Sequence, residues 1–429
     1  MNNTVPYTDM KDSGIKWIGS VPASWNVRTL YQLATRVNNK NSDLSEQNLL
    51  SLSYGKIKRK DINTNDGLLP ASFDGYNIIE AGDIVLRLTD LQNDHTSLRV
   101  GHATERGIIT SAYTTLRLIN PAHSRYLYYL IHAFDLKKGF YGMGSGVRQG
   151  LNYDEVKELR VVIPSQKEQD AITSYLDKVC QQIDLMIDEA KASIDEYKKW
   201  RSATIYEAVT KGINSSVDLQ PCELDAVDAI PAHWETRAIK YLASCNDEVL
   251  PENTDDTFAF NYIDIGSVKY GDGITQLQPM IFSEAPSRAR RIVQENDVII
   301  STVRTYLKAV AIISKFEAPQ IVSTGFAVLR AYDVNPDFLY YAVLSDNFIC
   351  KVEASSVGMS YPAINAREIM AFKIPLPPKE EQTQIAVYLN QKCGYIGQLV
   401  SEKNDLIDEL ESFKRALIYE TVTGKRKVV

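Results

Sequence analysis

The sequence predicts an α+β protein in which two similar globular domains are joined by two long helices that form an antiparallel coiled coil. Two observations predict this architecture. The 429-residue chain repeats itself at an offset of 209 to 214 residues, and each copy ends in about 40 residues with helical apolar spacing. A tandem duplication of this kind would relate its halves by a pseudo-two-fold axis. The predicted boundaries are globular domain 1–163, helix 164–212, globular domain 213–375 and helix 376–429.

The repeat is clearest where each globular domain meets its helix. Residues 163–169 (Ile-Pro-Ser-Gln-Lys-Glu-Gln) return as 374–382 (Ile-Pro-Leu-Pro-Pro-Lys-Glu-Glu-Gln), and from Gln169 onward the register has no gap. The Trp-containing opening at 21–25 returns at 230–234. Matches at one offset over this length indicate a tandem duplication of the chain.

The two helical segments carry start and stop signals as well as a seam. Ser165 with Glu168 three residues later forms a capping-box pattern, and Gly212 and Gly424 stand where the two periodic patterns stop. Apolar residues at alternating spacings of three and four predict a coiled-coil seam. The predicted seam residues are Ile172, Leu176, Val179, Ile183, Met186, Ala190, Ile194, Ile385, Leu389, Ile396, Leu399, Leu406, Leu410, Phe413 and Leu417. The alternative is that each helix packs only on its own domain.

The globular domains are predicted to mix short strands with short helices. β-rich runs lie at 84–88, 114–118, 298–302 and 309–313, each bounded by Gly, Asp or Asn. The segment 336–344 and its earlier copy have helical spacing. Together these segments predict an α+β domain that occurs twice.

Composition excludes several classes of protein. No apolar run approaches the roughly 18 residues of a membrane helix, and the N-terminal residues lack the basic and apolar regions of a signal peptide. Five separated cysteines without a CxxC pair favour a reducing cytoplasm over a disulfide framework. The net charge of −7 is uneven, because residues 1–163 carry 19 Lys and Arg against 16 Asp and Glu, and residues 213–375 carry 13 against 21.

A catalytic or metal-binding constellation is not recognisable in the sequence. The five histidines show neither HExxH nor regular ligand spacing, and the glycine-rich segment 142–146 lacks the strand and helix context of a nucleotide-binding loop. We therefore expect no catalytic residue, no metal site and no cofactor in this chain.

Basic and polar clusters instead indicate recognition of nucleic acid. Lys and Arg neutralise phosphates, and Arg, Gln, Ser and Tyr can contact base edges. The densest cluster follows Tyr54, with Arg87, Arg99 and Arg106 downstream, and two Gly/Ser-rich loops occupy corresponding places in the two halves. The candidate DNA-binding residues are Tyr54, Lys56, Lys58, Arg59, Lys60, Arg87, Ser145, Arg148, Gln149, Arg288, Arg290, Arg291, Arg304, Ser360 and Tyr361. The alternative for any one cluster is a solvated, solubilising face.

The repeated junctions at 163–176 and 374–389 and the Trp-containing openings resemble the DNA-specificity subunit of type I restriction–modification systems. The resemblance implies that each globular domain is a target recognition domain for one half of an asymmetric, split sequence in double-stranded DNA. It also implies that the paired helices set the spacer and dock two methyltransferase subunits, with restriction subunits that translocate DNA joining them. S-adenosylmethionine, ATP and Mg²⁺ would then act in the partner subunits.

Two other functions remain open at the level of sequence. One is an interaction scaffold, in which paired helices hold two protein-binding modules without any role for DNA. The other is an enzyme with an unrecognised site.

Overall fold

The computed structural model describes residues 7–63, 70–94, 96–143 and 150–428. The chain divides into two compact units. Unit 1 contains residues 1–189 and 406–429, and unit 2 contains residues 190–405. Because both divisions fall inside long helices, each unit contains one half of each of them.

The first half of the chain forms twelve strands and three α-helices among the described residues. The strands are β1 Met10–Asp12, β2 Ser20–Pro22, β3 Asn26–Thr29, β4 Ala34–Arg36, β5 Leu50–Ser53, β6 Lys56–Arg59, β7 Asn77–Ile79, β8 Ile84–Leu86, β9 Val100–His102, β10 Gly107–Ile109, β11 Thr114–Leu118 and β12 Arg160–Ile163. The helices are α1 Ser124–Leu136, α2 Tyr153–Val156 and α3 Gln166–Lys211.

The second half contains the remaining elements. The strands are β13 Leu219–Leu224, β14 Val227–Pro231, β15 Glu235–Ala238, β16 Ala243–Cys245, β17 Ala259–Ile263, β18 Val268–Lys269, β19 Gly273–Ile274, β20 Gln278–Ile281, β21 Ala289–Ile292, β22 Val298–Ser301, β23 Val310–Ile312, β24 Gln320–Ser323, β25 Phe326–Ala331 and β26 Lys373–Leu376. The helices are α4 Pro336–Leu344, α5 Asp346–Ser355, α6 Ala366–Ala371 and α7 Lys379–Val422.

A four-stranded antiparallel sheet forms the centre of each unit. Its strand order is β4-β11-β8-β9 in unit 1 and β16-β25-β22-β23 in unit 2. The four apolar runs predicted as strands form β8 and β11 at the centre of the unit 1 sheet, and β22 and β23 of the unit 2 sheet. The α+β duplication predicted from the sequence is therefore confirmed at the level of topology.

A second layer of strands occurs in both units. Unit 2 has a further four-stranded sheet, β20-β17-β24-β21, in which β17 and β24 run parallel. In unit 1 the β5–β6 hairpin and the β7–β10 pair are joined by a parallel bridge between Leu49 and Ile108, which gives the equivalent order β6-β5-β10-β7. The two units therefore share both layers, and the parallel pairing is shorter in unit 1.

The strand before each long helix closes its unit by pairing with a strand near the start of that unit. Strand β12 pairs antiparallel with β3, and β26 pairs antiparallel with β15. The chain then enters a helix of 46 residues (α3) or 44 residues (α7). This pairing attaches the start of each long helix to its own globular domain.

The long helices pair antiparallel, as the sequence predicts. In unit 1, Lys414 Nζ in the C-terminal half of α7 donates to Asp184 Oδ1 in the N-terminal half of α3, at 2.5 Å. In unit 2, Ile205 from the C-terminal half of α3 shares a buried cluster with Ile385 and Leu389 from the N-terminal half of α7. The beginning of each helix therefore meets the end of the other.

The local signals of helix start and stop are also present. Ser165 Oγ accepts from the Glu168 backbone N–H at 3.4 Å, and Glu168 Oε2 accepts from the Ser165 backbone N–H at 3.3 Å, which completes the capping box. Gly212 and Gly424 have φ of +80° and +71°. A Cβ on Gly424 would lie 2.3 Å from Pro22 Cδ, so this helix end requires glycine.

The buried stripe of the long helices differs from the predicted seam at two residues. Met186 and Phe413 are half exposed, whereas the sequence placed them in the seam. Between residues 172 and 194 the buried positions of α3 are Ile172, Leu176, Cys180, Ile183, Ile187, Ala190 and Ile194. This stripe takes two successive steps of four residues at its start, so it runs through Cys180 and Ile187 where the sequence placed Val179 and Met186. Val179 itself is partly buried.

The remaining seam residues of α7 fall into two groups. Ile385, Leu389, Ile396 and Leu417 are buried. Leu399, Leu406 and Leu410 are partly buried.

Candidate nucleic-acid interface

A tryptophan near the start of each unit is tied to the first turn of a long helix. In unit 1 the indole Nε1 of Trp25 donates to Glu168 Oε1 at 3.3 Å. In unit 2 the indole Nε1 of Trp234 donates to Glu381 Oε2 at 3.0 Å. Both indoles are buried. The repeated tryptophan and the repeated glutamate of the sequence are thus one contact that occurs in both units.

The glutamine that follows each of these glutamates holds the chain just before the helix. Gln169 Nε2 donates to the carbonyl oxygen of Pro164 at 2.9 Å, and Gln382 Nε2 donates to that of Pro377 at 2.8 Å. Both glutamine side chains are buried. The Lys-Glu-Gln junction therefore fixes the direction in which each helix leaves its domain.

A buried carboxylate binds an arginine across the central sheet of each unit. Arg117 Nε and Nη2 donate to Asp83 at 2.9 and 2.6 Å, and Arg330 Nε and Nη2 donate to Asp297 at 3.0 and 2.8 Å. Hydrogen bonding to these carboxylates raises the pKa of the two arginines. We call the Trp–Glu, Gln–Pro and Asp–Arg contacts the repeated frame, because each occurs once in each unit.

The densest basic cluster lies on the β5–β6 hairpin of unit 1. Tyr54 occupies the turn at a φ of +46° and is exposed. The Lys56 ammonium faces α3, where its Nζ lies 3.8 Å from Asp184 Oδ2. Lys58 and Lys60 are exposed to solvent. With Lys56, whose side chain is 69% exposed, three lysines of this segment face solvent.

Two arginines of unit 1 are held by carboxylates of the same unit. Arg59 Nε and Nη2 both donate to Glu105, at 2.9 and 2.5 Å. This pairing lowers the pKa of the Glu105 carboxyl and raises that of Arg59. Arg106 binds Glu46 at 2.9 Å and Glu80 at 2.5 Å. Because water and salt screen exposed pairs of this kind, they contribute little to the stability of the fold.

Arg99 is buried and has a structural role. Its grouping with the basic cluster of candidate DNA contacts was therefore wrong. Its side chain is fully buried. The guanidinium donates to the carbonyl oxygens of Arg87, Thr89, Asp90 and Asp94. It organises the loop that carries Arg87, whose own guanidinium lies 3.5 Å from the Asp94 carboxylate.

Three candidate residues of unit 1 come from its Gly/Ser-rich segment. Ser145, Arg148 and Gln149 lie outside the described residues, so their predicted contact with DNA stays a prediction.

Unit 2 contains an open cleft of about 650 Å³ with three cationic side chains in its lining. We call it the basic cleft and define its cations as Lys240, Arg291 and Arg367. Polar lining comes from Asn246, Thr302, Thr324 and Asn365, and no Asp or Glu occurs among the described lining residues. The acidic excess of this half of the chain therefore does not extend to the cleft, which suits an anionic ligand.

A bulge in β21 separates two neighbouring arginines. The register between β21 and β24 shifts between Ala289 and Arg291, and such a shift redirects side chains. Arg290 lies over the Phe282 ring, with 4.7 Å from Cζ to the ring centroid. Arg291 lines the basic cleft, where its Nε is buried without a hydrogen-bond partner among the described residues.

Lys240 and Arg367 were not predicted from the sequence. Lys240 lies in a 3-10 turn and Arg367 in α6, far apart in the chain, so no local cluster marks them. The internal repeat of the sequence could have identified Arg367 as a residue that differs between the two copies. Asn152 and Asn365 cap equivalent short helices, and two residues later one copy has Asp154 where the other has Arg367.

The other candidates of unit 2 are exposed near the cleft or bound to an aromatic ring. Arg304 lies over the Tyr361 ring, 5.2 Å from Cζ to the centroid, and both are exposed together with Ser360. Arg288 Nε donates to the Tyr262 hydroxyl at 3.3 Å. The two segments that carry Arg304 and Tyr361 adjoin the cleft. The backbone N–H of Ile364 donates to Thr302 O at 2.9 Å, and Thr302 lines the cleft.

Two largely buried histidines lie beside α3 in unit 1. Burial lowers the pKa of His102 and of His132 to about 4, and the charge of Arg125 acts in the same direction on both. Asp135, on the same helix as His132, shows the opposite response, because burial raises its pKa to about 6. Because these pKa values differ from those of the unfolded chain, we expect the stability of unit 1 to depend on pH.

The remaining searches concern metals and membranes. Within the described residues, no group of three or more His, Cys, Asp or Glu side chains is arranged to hold a metal ion. A search of the described helices for a span long and apolar enough to cross a membrane found none.

Two units with one repeated frame, an exposed basic hairpin and a basic cleft define a protein built by duplication, with a cationic surface in each unit. The family model for the type I restriction modification DNA specificity domain matches residues 22–196 and 231–409. The chain therefore belongs to this family. It is a DNA sequence-recognition subunit of a type I restriction–modification system.

Two curated specificity subunits of type I restriction enzymes are similar to this chain over most of its length. The putative type I restriction enzyme MjaX specificity subunit of Methanocaldococcus jannaschii is 23% identical, with 96% of each chain covered. The MjaVIII specificity subunit of the same organism is 20% identical, over 88% of this chain and 84% of the relative. A solved chain from a study of complex assembly and conformational transition of the type I R-M system has a TM-score of 0.65 at 15% identity. It covers 94% of this chain and 98% of its own, so the fold is shared.

Proposed function

We propose that each unit recognises a different half of an asymmetric bipartite DNA target. One observation carries this proposal: the repeated frame is common to both units, whereas the cations of the basic cleft are not. The repeat places Tyr31, Asn77 and Asp154 where unit 2 has Lys240, Arg291 and Arg367. A frame that is kept while its surface changes is what two different half-sites require.

The recognition domains in this proposal are residues 1–163 and 213–375, with 164–212 and 376–429 as spacer helices. At about 1.5 Å per residue the helices α3 and α7 are roughly 65–70 Å long. Their length would set the number of unread base pairs between the half-sites.

Base contacts are assigned to exposed or cleft-lining groups. In the second domain these are Arg291 and Arg367 of the cleft, with Arg304, Ser360 and Tyr361 beside it. In the first domain the candidate is Arg87, and Lys58 is assigned to a phosphate. Arg148 and Gln149 are kept as base contacts on the sequence alone, because they lie outside the described residues. Arg59 is available only if DNA displaces Glu105, because its guanidinium is already bound.

The partners would supply the chemistry. We infer that two methyltransferase subunits dock on the paired helices and that restriction subunits join them. S-adenosylmethionine, ATP and Mg²⁺ would be bound by those partners, and this chain would contribute no catalytic residue. The protein would act in the cytoplasm, where the host DNA lies.

Mapping of methylated bases in host DNA tests the function directly. Cells with this gene should carry methylation in one split motif, and deletion of the gene should remove that motif alone. Purified methyltransferase subunits with this chain should bind the motif selectively and with strong salt dependence. An interaction scaffold without a role for DNA would leave the methylation pattern unchanged.

Matched shortening of the helices tests their role as a spacer. Removing the same number of turns from α3 and α7 should change the unread spacer and leave both half-sites intact. Shortening one helix alone is the control and should disrupt the pairing. Altered half-sites with an unaltered spacer would contradict the proposal.

A further inference from the structure

A short loop beside the basic cleft exposes more apolar surface than folding explains. Val357, Met359 and Tyr361 are 80%, 102% and 67% exposed. We call residues 357–361 the apolar tip. The neighbouring turn adds Tyr306 and Leu307, which are also exposed. Clustered large apolar side chains in solvent indicate a binding surface, because they contribute nothing to the core.

The apolar tip is held in place by hydrogen bonds at its base. Val357 and Ala363 exchange two backbone hydrogen bonds, Val357 N–H to Ala363 O at 2.8 Å and Ala363 N–H to Val357 O at 3.0 Å. Gly358 between them has a φ of +115°. A Cβ there would lie 3.1 Å from Tyr361 O. A loop braced in this way has a restrained backbone, which reduces the conformational entropy that binding would cost.

The neighbouring turn supports the tip from one side. Thr305 Oγ1 donates to Ser356 Oγ at 2.9 Å, and the Arg304 guanidinium lies over the Tyr361 ring. Arg304 and Lys308, which bracket this turn, both have a φ of +51°. Left-handed backbone at two non-glycine residues costs free energy and is typical of binding sites.

Charge identifies the partner as DNA. The tip is continuous with the basic cleft, because Ile364 N–H donates to Thr302 O and both Thr302 and Asn365 line the cleft. Cations that flank an apolar tip complement a duplex, in which phosphates border a stack of apolar base faces. Proteins that kink DNA insert Met, Leu, Ile, Phe or Pro between base pairs in this way.

We propose that the apolar tip inserts Met359 between two base pairs of the half-site bound by unit 2 and opens that base step. Lys240 of the cleft would bind a nearby phosphate, the arginines would keep their contacts to base edges, and Tyr361 would cover the exposed base. This inference rests on the proposed function, and it adds a distortion of DNA that direct base contacts do not require.

The test uses the complex of this chain with its methyltransferase subunits and duplexes of the mapped motif. 2-Aminopurine is placed at successive purine positions, and its fluorescence rises where a base loses its stacking. Wild type should give a rise at one step of a single half-site. Met359→Ala should abolish that rise and weaken binding about tenfold, and Met359→Leu should retain both. Met10→Ala, at an exposed methionine of unit 1, is the matched control and should behave as wild type.

Two further measurements distinguish insertion of Met359 from other causes of increased fluorescence. 2-Aminopurine also fluoresces at a position that the methyltransferase flips out of the duplex. That second signal should persist in Met359→Ala. A mismatch at the opened step lowers the cost of unstacking, so wild type should bind it more tightly and Met359→Ala should not.

Three outcomes would overturn the inference. If wild type binds its motif selectively without a rise outside the flipped base, the wedge is wrong and the proposed function stands. If Met359→Ala weakens assembly with the methyltransferase subunits without DNA, the tip is a protein-docking surface. If wild type shows no selective binding, the proposed function fails and the wedge fails with it.

Discussion

Unit 1 and unit 2 have the same internal frame and different surfaces. Trp25 with Glu168 in one unit corresponds to Trp234 with Glu381 in the other, and the buried Asp–Arg pair also occurs in both. At the cleft the correspondence ends, since Asp154 of unit 1 binds Lys157 at the place where unit 2 exposes Arg367. The duplicated units therefore keep the same internal contacts and differ in the residues that line the cleft. The predictions below test that separation.

Truncation of the frame tryptophans should have the largest effect, and an equal one in both units. Trp25→Ala and Trp234→Ala each remove a buried indole and its hydrogen bond to a glutamate. Each should therefore cost about 3–5 kcal/mol of the free energy of unfolding of its own unit. Fluorotryptophan NMR in urea can follow the units separately, because Trp17 reports on unit 1 and Trp200 on unit 2.

The matched control is Trp200→Ala, since this residue is 44% exposed. Its effect should stay below about 1 kcal/mol, with Trp234 as the reporter of unit 2 in this variant. A large loss in only one of the two frame variants would show that the frames are not equivalent.

Acid should destabilise unit 1 through the buried His132. The pKa of His132 is about 4 in the folded protein, below its ordinary value of 6.5. Its neutral form therefore contributes stability above pH 6.5, and this contribution is lost as the pH falls toward 4, up to about 3 kcal/mol. Asp135 opposes the effect, because its raised pKa makes its contribution favourable at low pH and unfavourable as the pH rises through about 6.

His132→Gln should reduce the acid sensitivity of unit 1 in urea titrations at about pH 7.5 and 5.0. The same fluorotryptophan signals provide the readout, with Trp234 as the internal reference in unit 2. An unchanged pH dependence in the variant would exclude His132 as its source.

Removal of one cleft cation should affect one half-site only. Arg367→Ala should cost about 1–3 kcal/mol of binding free energy and relax one base position. Selection from a randomised duplex library measures both quantities. Asp154→Ala, at the equivalent place in unit 1, should leave both half-sites unchanged, and Lys315→Ala controls for the loss of an exposed charge of unit 2. Relaxation in both half-sites would contradict independent units.

The smallest effect is expected on the β5–β6 hairpin. Lys58→Ala should weaken binding to every sequence alike and reduce the salt dependence by about one ion, because a phosphate contact carries no sequence information. Titrations at several salt concentrations measure the slope. A change in preferred sequence would instead identify Lys58 as a base contact.

Sequence predicted the long helices closely because their signals are local. The capping box at Ser165 and Glu168 and the glycine at 212 mark the ends of α3 within a few residues. The buried residues of the seam were predicted less well. Ile187 is buried and Met186 is half exposed, because burial depends on which side of α3 the neighbouring helix covers. The binding surface was predicted least well. Arg99 has the same charge as Lys58, and only its surroundings show that it is buried.

By itself the sequence determined that the chain is duplicated, that each copy ends in a long helix, and which family it resembles. These properties are carried by spacing and by repetition, which need no knowledge of distant contacts. Tertiary structure decided which cations are exposed, that Lys240, Arg291 and Arg367 share one cleft, and that Met359 stands in solvent. The physical reason is that exposure and electrostatic surroundings are set by segments far apart in the chain, which only folding brings together.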